Sequence, residues 1–122
     1  MRIVGGSFGG RRLNAPPGQG TRPTTDRVRE ALFNILGPAV VGQSVLDCFA
    51  GSGALGLESL SRGAASVVFV EKARTASDTL KSNALSLGLT FGSSMRMVCG
   101  DLERSISQLS LSGPFDLWLV DP

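Results

Sequence analysis

Asp47, Glu71, Asp101 and Asp121 each stand where an apolar run gives way to a turn, and the first of them precedes a glycine-rich stretch. That stretch, Phe49-Ala50-Gly51-Ser52-Gly53-Ala54-Leu55-Gly56, places Gly51, Gly53 and Gly56 in the spacing G-x-G-x-x-G. Between a strand pattern and a helix pattern, the first glycine permits a tight turn and the second lets a ligand approach the backbone. The third lets the helix pack close to the sheet. Glu71 follows Gly51 by twenty residues, at the end of the next apolar run, where an acid can accept from both hydroxyls of a ribose. Together these residues point to a nucleotide-type cofactor; the alternative is a glycine-rich turn that holds no ligand.

The charge on Asp47 bears on which cofactor. NAD would set its pyrophosphate at the helix N-terminus, and a carboxylate facing that position would repel it. S-adenosylmethionine carries an ammonium and a sulfonium and no phosphate. An acidic strand end accommodates those cations directly or through water, while the loop N–H groups meet the carboxylate. Asp47 therefore favours S-adenosylmethionine; its competing role is that of a buried acid capping the loop. Asp101 is placed to accept from the adenine amine, with Leu102 packing beside the ring, although an Asp after Gly is also a common helix cap.

Other chemistry is excluded by composition. The chain has no histidine, so no histidine-based triad, metal site or acid–base catalyst is available. Cys48 and Cys99 are its two cysteines, too few for a structural zinc site, and both are expected as small buried strand residues. No metal is expected. With 122 residues, 42% hydrophobic and 18% charged, and no run of the roughly 18 apolar residues needed to span a bilayer, the chain reads as one globular, cytoplasmic domain. Its charge is uneven. Residues 1–34 hold Arg2, Arg11, Arg12, Arg22, Arg27 and Arg29 against Asp26 and Glu30, a net of +4, while the remainder is net −2. An all-arginine excess suits phosphate contact; a solvated arm would show the same composition.

The elements that position these residues follow from periodicity. Residues 1–14 read as a hairpin and 15–23 as a loop. A helix follows, capped by Thr24 or Thr25 with Asp26 in its first turn, and stopped by Gly37-Pro38. Val28, Ala31, Leu32, Ile35 and Leu36 form its apolar face. Strands are then expected at 44–48, 66–70, 95–99 and 115–120, with helices at 52–62, 73–87 and 102–109. Ala73, Ala76, Leu80, Ala84 and Leu87 should line one face of the second of these helices. This alternation specifies an α/β fold with a parallel sheet and right-handed crossovers.

The run Arg22-Pro23-Thr24-Thr25-Asp26-Arg27-Val28-Arg29-Glu30-Ala31-Leu32-Phe33-Asn34, the glycine loop and the terminal Asp121-Pro122 together resemble the RsmD family. Arg2-Ile3-Val4-Gly5-Gly6 and Gly10-Arg11-Arg12-Leu13 are also similar to that family's N-terminal hairpin. The resemblance implies a Rossmann-like class I methyltransferase sheet, here its N-terminal half in strand order 3-2-1-4, preceded by a β-hairpin and helix. Residues 1–37 would form the RNA-contact segment and 38–122 the S-adenosylmethionine-binding domain. It implies S-adenosylmethionine-dependent methylation of guanine N2 in 16S ribosomal RNA, in the small subunit or its assembly intermediate, by a protein monomeric at full length.

By position, the resemblance makes Asp47, Phe49, Gly51 and Gly53 the methionine-side loop, gives Glu71 the ribose and Asp101 the adenine, and places Thr24, Thr25 and Arg27 near the methionine end. Arg2, Arg11, Arg12 and Arg22 would contact RNA phosphates. Asp121 and Pro122 resemble the start of an Asp-Pro-Pro-aromatic motif. In it a carboxylate and a proline carbonyl hold the hydrogens of an exocyclic amine and steer its lone pair toward the methyl. The second proline and the aromatic do not follow Pro122, so the chain reads as an N-terminal fragment or an incomplete record. Such a fragment is expected to be inactive by itself, with its fourth strand left as an unpaired apolar edge. An adenine-N6 methyltransferase, an NAD-dependent oxidoreductase and a nucleic-acid-binding module without activity are the rival readings.

Overall fold

A computed structural model describes residues 1–16, 25–92 and 94–121. Arg22, Thr24 and Pro122, singled out by the sequence, lie outside the described residues. Among those described, four strands form one parallel sheet: β1 (Ser44–Asp47), β2 (Ser66–Glu71), β3 (Met95–Cys99) and β4 (Leu117–Leu119), ordered β3-β2-β1-β4. Four α-helices accompany them: α1 (Asp26–Leu36), α2 (Ala54–Ser61), α3 (Arg74–Ser86) and α4 (Ile106–Ser112). The strand order is the expected one. It arises because β1 leads leftward through β2 to β3 and the chain then returns to β1's other side as β4. β1 and β2 are nearly continuous apolar runs because both faces of a parallel sheet are covered.

One core cluster joins Val45, Val67, Phe69 and Met95 of the sheet to Leu57 of α2, Leu80 and Ala84 of α3, and Phe33 of α1. Ile3 and Leu13 belong to the same cluster, so the N-terminal segment packs into the sheet's own core. On the opposite face, Leu46, Cys48, Val68 and Val70 pack against Leu109 of α4. α2 is buried nearly all round, as a helix between a sheet and other elements must be. Gly56 permits this: a Cβ there would meet the Phe69 ring and Val67 on β2, as expected from the sequence.

Several expectations are corrected. Residues 1–14 double back antiparallel, but they form no strands. A single bridge pairs Arg2 with Arg12, around a 3-10 turn at Gly6–Phe8 whose central bend the Gly-Gly pairs accommodate. α4 begins at Ile106 rather than residue 102, because residues 102–105 are taken up by a turn that Asp101 caps. β4 is shorter than 115–120. Cys48 is buried as expected, but Cys99 is exposed, because it ends the edge strand β3.

The largest correction concerns α1. Its N-cap is Thr25, whose hydroxyl accepts from the Val28 amide at 3.2 Å. Only one side of the apolar face counted from the sequence meets the core: Leu32 and Leu36 pack partly against it, whereas Val28 and Ala31 are exposed and Ile35 is 84% exposed. The buried residues are Phe33 and Arg29, the latter 0% exposed. The rotation of the helix is thus set by a charged residue, for reasons that lie in α2.

Candidate functional site

All four strands run parallel, so their carboxyl ends share one edge of the sheet. Asp47 closes β1, Glu71 closes β2, Asp101 follows β3 and Asp121 follows β4. β1 pairs with β2 on one side and β4 on the other, which makes the β1–β4 gap the point where the winding direction reverses. Ligands of open α/β sheets bind outside the carboxyl ends at such a point.

Asp47 is 1% exposed. Its Oδ2 accepts from the Gly56 amide at 3.1 Å, at the start of α2, so the loop-capping role is real. Its Oδ1 is the buried side-chain polar atom that lacks a hydrogen-bond partner among the described residues. Burial pushes the carboxyl up to about 7, and the nearby charges of Asp121 and Glu71 push the same way, while the amides of Gly56 and Phe49 oppose the rise. Asp47 therefore lies close enough to Asp121 and Glu71 at the sheet edge to feel both charges.

The glycine turn is fastened on several sides. The Ala50 amide donates to the Val70 carbonyl at 2.9 Å, and the Gly51 amide donates to Glu71 Oε1 at 2.8 Å. Glu71 Oε2 accepts from the Ala73 amide at 2.8 Å, so this half-buried acid ties the turn to the start of α3. Gly51 turns with φ +55° and has open space where a side chain would stand. Gly53, with φ +84°, has a different reason from the one expected. A Cβ there would run into the Leu80 side chain, so its bareness serves packing against α3. Phe49 is exposed beside the turn.

Asp101 is engaged locally. Its Oδ1 accepts from the Arg104 amide at 2.8 Å and its Oδ2 lies 3.5 Å from the Arg104 guanidinium, the capping role weighed against adenine contact. Leu102 is partly buried against the Leu46–Leu109 cluster. Thr25 and Arg27 are exposed at the start of α1. Of the arginines expected at RNA, Arg2, Arg11 and Arg12 are all exposed, and the Arg11 guanidinium also donates to the Ser86 carbonyl at the end of α3. Among the described residues, no group of three or more His, Cys, Asp or Glu side chains is placed to hold a metal ion. No helix there is long and apolar enough to cross a membrane.

Sequence reasoning missed the polar hub behind the site. Glu58 on α2 is fully buried, and each of its oxygens has two donors. Oε1 accepts from the Val4 amide at 2.9 Å and from Arg29 Nε at 3.2 Å; Oε2 accepts from the Gly5 amide at 2.9 Å and from Arg62 Nε at 2.8 Å. Arg29 also bonds Asp26 at 2.8 Å and the Arg2 carbonyl, and Arg62 stacks 5.3 Å from the centre of the Phe33 ring. The available signal was an acid inside the otherwise apolar and small run Ala54-Leu55-Gly56-Leu57-Glu58-Ser59-Leu60-Ser61, since a helix buried all round leaves no solvated face for it.

This arrangement is that of a known family. A family model described as Conserved hypothetical protein 95 matches residues 1–122. The chain belongs to that family, the RsmD family resembled by its sequence. It is 45% identical over 122 residues to "Ribosomal RNA small subunit methyltransferase D" of Escherichia coli K12, covering 100% of this chain and 59% of that relative. It is 51% identical over 90 residues to "Putative rRNA methyltransferase YlbH" of Bacillus subtilis, covering 74% of this chain and 49% of that one. The solved structure of "Putative methyltransferase yhhF from Escherichia coli" superposes with a TM-score of 0.80 at 44% identity, over 100% of this chain and 63% of that one. The chain thus spans about three fifths of the length of its Escherichia coli relative. The Rossmann-like class I methyltransferase sheet expected from the sequence is the fold observed, in the order 3-2-1-4.

Proposed function

We propose that this RsmD-family chain binds S-adenosylmethionine at the carboxyl edge of its sheet, for methyl transfer to guanine N2 of 16S ribosomal RNA. The substrate is the cytoplasmic small ribosomal subunit or its assembly intermediate. The observation that carries the cofactor reading is the buried, unpartnered Oδ1 of Asp47 beside a turn left open at Gly51. A buried carboxylate oxygen without a donor is costly, and an ammonium resolves that cost where a phosphate would worsen it. The ribosomal substrate rests on the family and on what its relatives are called.

In this reading Asp47, Phe49, Gly51 and Gly53 hold the methionine end, with Thr24, Thr25 and Arg27 near it. Glu71 accepts from the ribose, and Asp101 with Leu102 borders the adenine. When bound, the cofactor supplies an electrophilic methyl on a sulfonium, itself a good leaving group. Asp121, with Pro122, accepts from the target amine and holds its lone pair in line, so that positioning supplies most of the catalysis. A base in a paired region would first be unstacked.

Calorimetric titration tests the cofactor. S-adenosylhomocysteine should bind and NAD should not. Glu71→Ala should weaken binding by about 1–3 kcal/mol, losing charged hydrogen bonds to the ribose together with the anchor of Gly51. Tighter binding of NAD, or an unaltered affinity in the Glu71 variant, overturns the assignment. Mass analysis of ribosomal RNA after reaction names the methylated base, and an N6-methyladenine product would replace the guanine assignment.

The RNA surface is the N-terminal segment, in which Arg2, Arg11 and Arg12 are exposed and Arg11 also reaches the end of α3. Phosphate contacts make binding fall steeply with salt, in proportion to their number. Arg11→Ala with Arg12→Ala should lower RNA affinity and flatten the plot of log affinity against log salt by about two contacts' worth. An unchanged slope in filter binding would assign these arginines to folding alone.

A further inference from the structure

Asn83 lies on α3, 1% exposed, and the proposed chemistry makes no use of it. Its side chain joins two segments distant in sequence. Nδ2 donates to the Asn14 carbonyl at 3.0 Å and to the Ser52 carbonyl at 2.9 Å, while Oδ1 accepts from the Asn14 amide at 2.8 Å. Asn14 thus has both its backbone groups satisfied by one amide, as a neighbouring strand would do. Ser52 sits in the glycine turn, and the other end of its peptide is also fixed: the Gly53 amide donates to the Ala50 carbonyl at 2.8 Å. With both polar ends held, the Ser52–Gly53 peptide plane has one orientation, and it lies next to the open space at Gly51. α3 holds the N-terminal segment a second time through Arg11 and the Ser86 carbonyl. The side chain of Asn83 is therefore the bond between the segment carrying the arginines and the turn carrying the glycines.

We infer that Asn83 is a positioning residue of the cofactor site: through it the glycine turn and the N-terminal segment respond as one unit, so that a ligand at the turn is felt at Asn14. The inference rests on the cofactor reading above. Linkage of this kind is reciprocal, so what steadies Asn14 also tightens the turn around its ligand.

The test combines calorimetry with amide hydrogen exchange, using S-adenosylhomocysteine as the probe. In the wild-type chain, the ligand should slow exchange at Asn14 as well as at Gly53. Asn83→Asp keeps the acceptor for the Asn14 amide but turns a carboxylate toward the Ser52 and Asn14 carbonyls. In this variant affinity should fall about tenfold, and ligand-induced slowing should vanish at Asn14 while persisting at Gly53. The Val4 amide, bonded to Glu58 Oε1 on α2, reports whether the segment stays docked. If Asn83→Asp releases it, Asn83→Ser, which removes only the reach to Ser52 and Asn14, is read by the same criteria. Wild-type binding without slowing at Asn14, or a variant with wild-type affinity and slowing, overturns the inference and leaves the cofactor reading standing. Absence of wild-type binding overturns both.

Discussion

Replacing Glu58 with alanine is expected to destabilise the protein by about 3–5 kcal/mol, a large part of the roughly 5–15 kcal/mol that holds a domain together. The size follows from what is left behind. Arg29 is fully buried, and without Glu58 its Nε–H loses the carboxylate 3.2 Å away. The amides of Val4 and Gly5 lose their acceptor at the same time, so the N-terminal segment loses its hold on α2. Burial alone would push the Glu58 carboxyl up, but the Val4 and Gly5 amides together with Arg62 and Arg29 outweigh it, and the net shift is downward. A carboxylate lowered in the folded state contributes stability above its unfolded value, 4.5 here, and loses it as pH falls through the folded value. Urea denaturation followed by circular dichroism should therefore show stability declining below about pH 4.5, with a flatter decline in Glu58→Gln. A loss of less than about 1 kcal/mol in Glu58→Ala would show that water or neighbouring donors replace the network.

S-adenosylhomocysteine affinity is expected to fall about tenfold for each pH unit below about 7, because Asp47 must lose a proton to meet an ammonium. Burial is the main cause of its raised value, and the Asp121 and Glu71 charges add to it. A bound ammonium favours the carboxylate, so binding expels the proton throughout the window between the free and bound values. Calorimetry near pH 6 in buffers of different ionisation enthalpy should register close to one proton released per ligand. Above pH 8 the affinity should level off, and Asp47→Asn should bind weakly with a flat profile. The sign for stability is opposite. Between 3.8 and about 7 the unliganded folded state holds a proton that the unfolded state has lost, so this group's contribution falls as pH rises through that window. Proton-independent binding by the wild type would remove Asp47 from the ammonium site.

The sheet was legible because its strands are short continuous apolar runs, and the glycine turn because backbone conformation there demands glycine. The face of α3 was legible too: Ala76, Leu80, Ala84 and Leu87 are buried where the period placed them, although Ala73, at the N-cap, is exposed. α1 was legible only in Leu32 and Leu36, because its rotation depends on Arg29 meeting Glu58, a partner twenty-nine residues away that no local period contains. Asn83 was hidden for the same reason, since a polar residue among the small and polar residues of α3 reads as solvated until Asn14 and Ser52 are seen beside it. In the candidate site, the positions of Asp47, Glu71, Asp101 and Asp121 followed from strand ends, but their hydrogen bonds did not. Glu71 anchors Gly51, and Asp101 caps a turn, through contacts that depend on the curvature of loops.

Trp118 has an optical consequence. It is the chain's single tryptophan, there is no tyrosine, and the residue is 60% exposed on β4, at one edge of the sheet among the described residues. Emission excited beyond the phenylalanine band therefore comes from one indole already in contact with water. Its native spectrum should resemble that of the unfolded chain, so fluorescence would pass over the transition that circular dichroism records. The same ring turns blue when an apolar surface covers it, which makes the chain its own spectroscopic reporter for whatever settles on the outer side of β4.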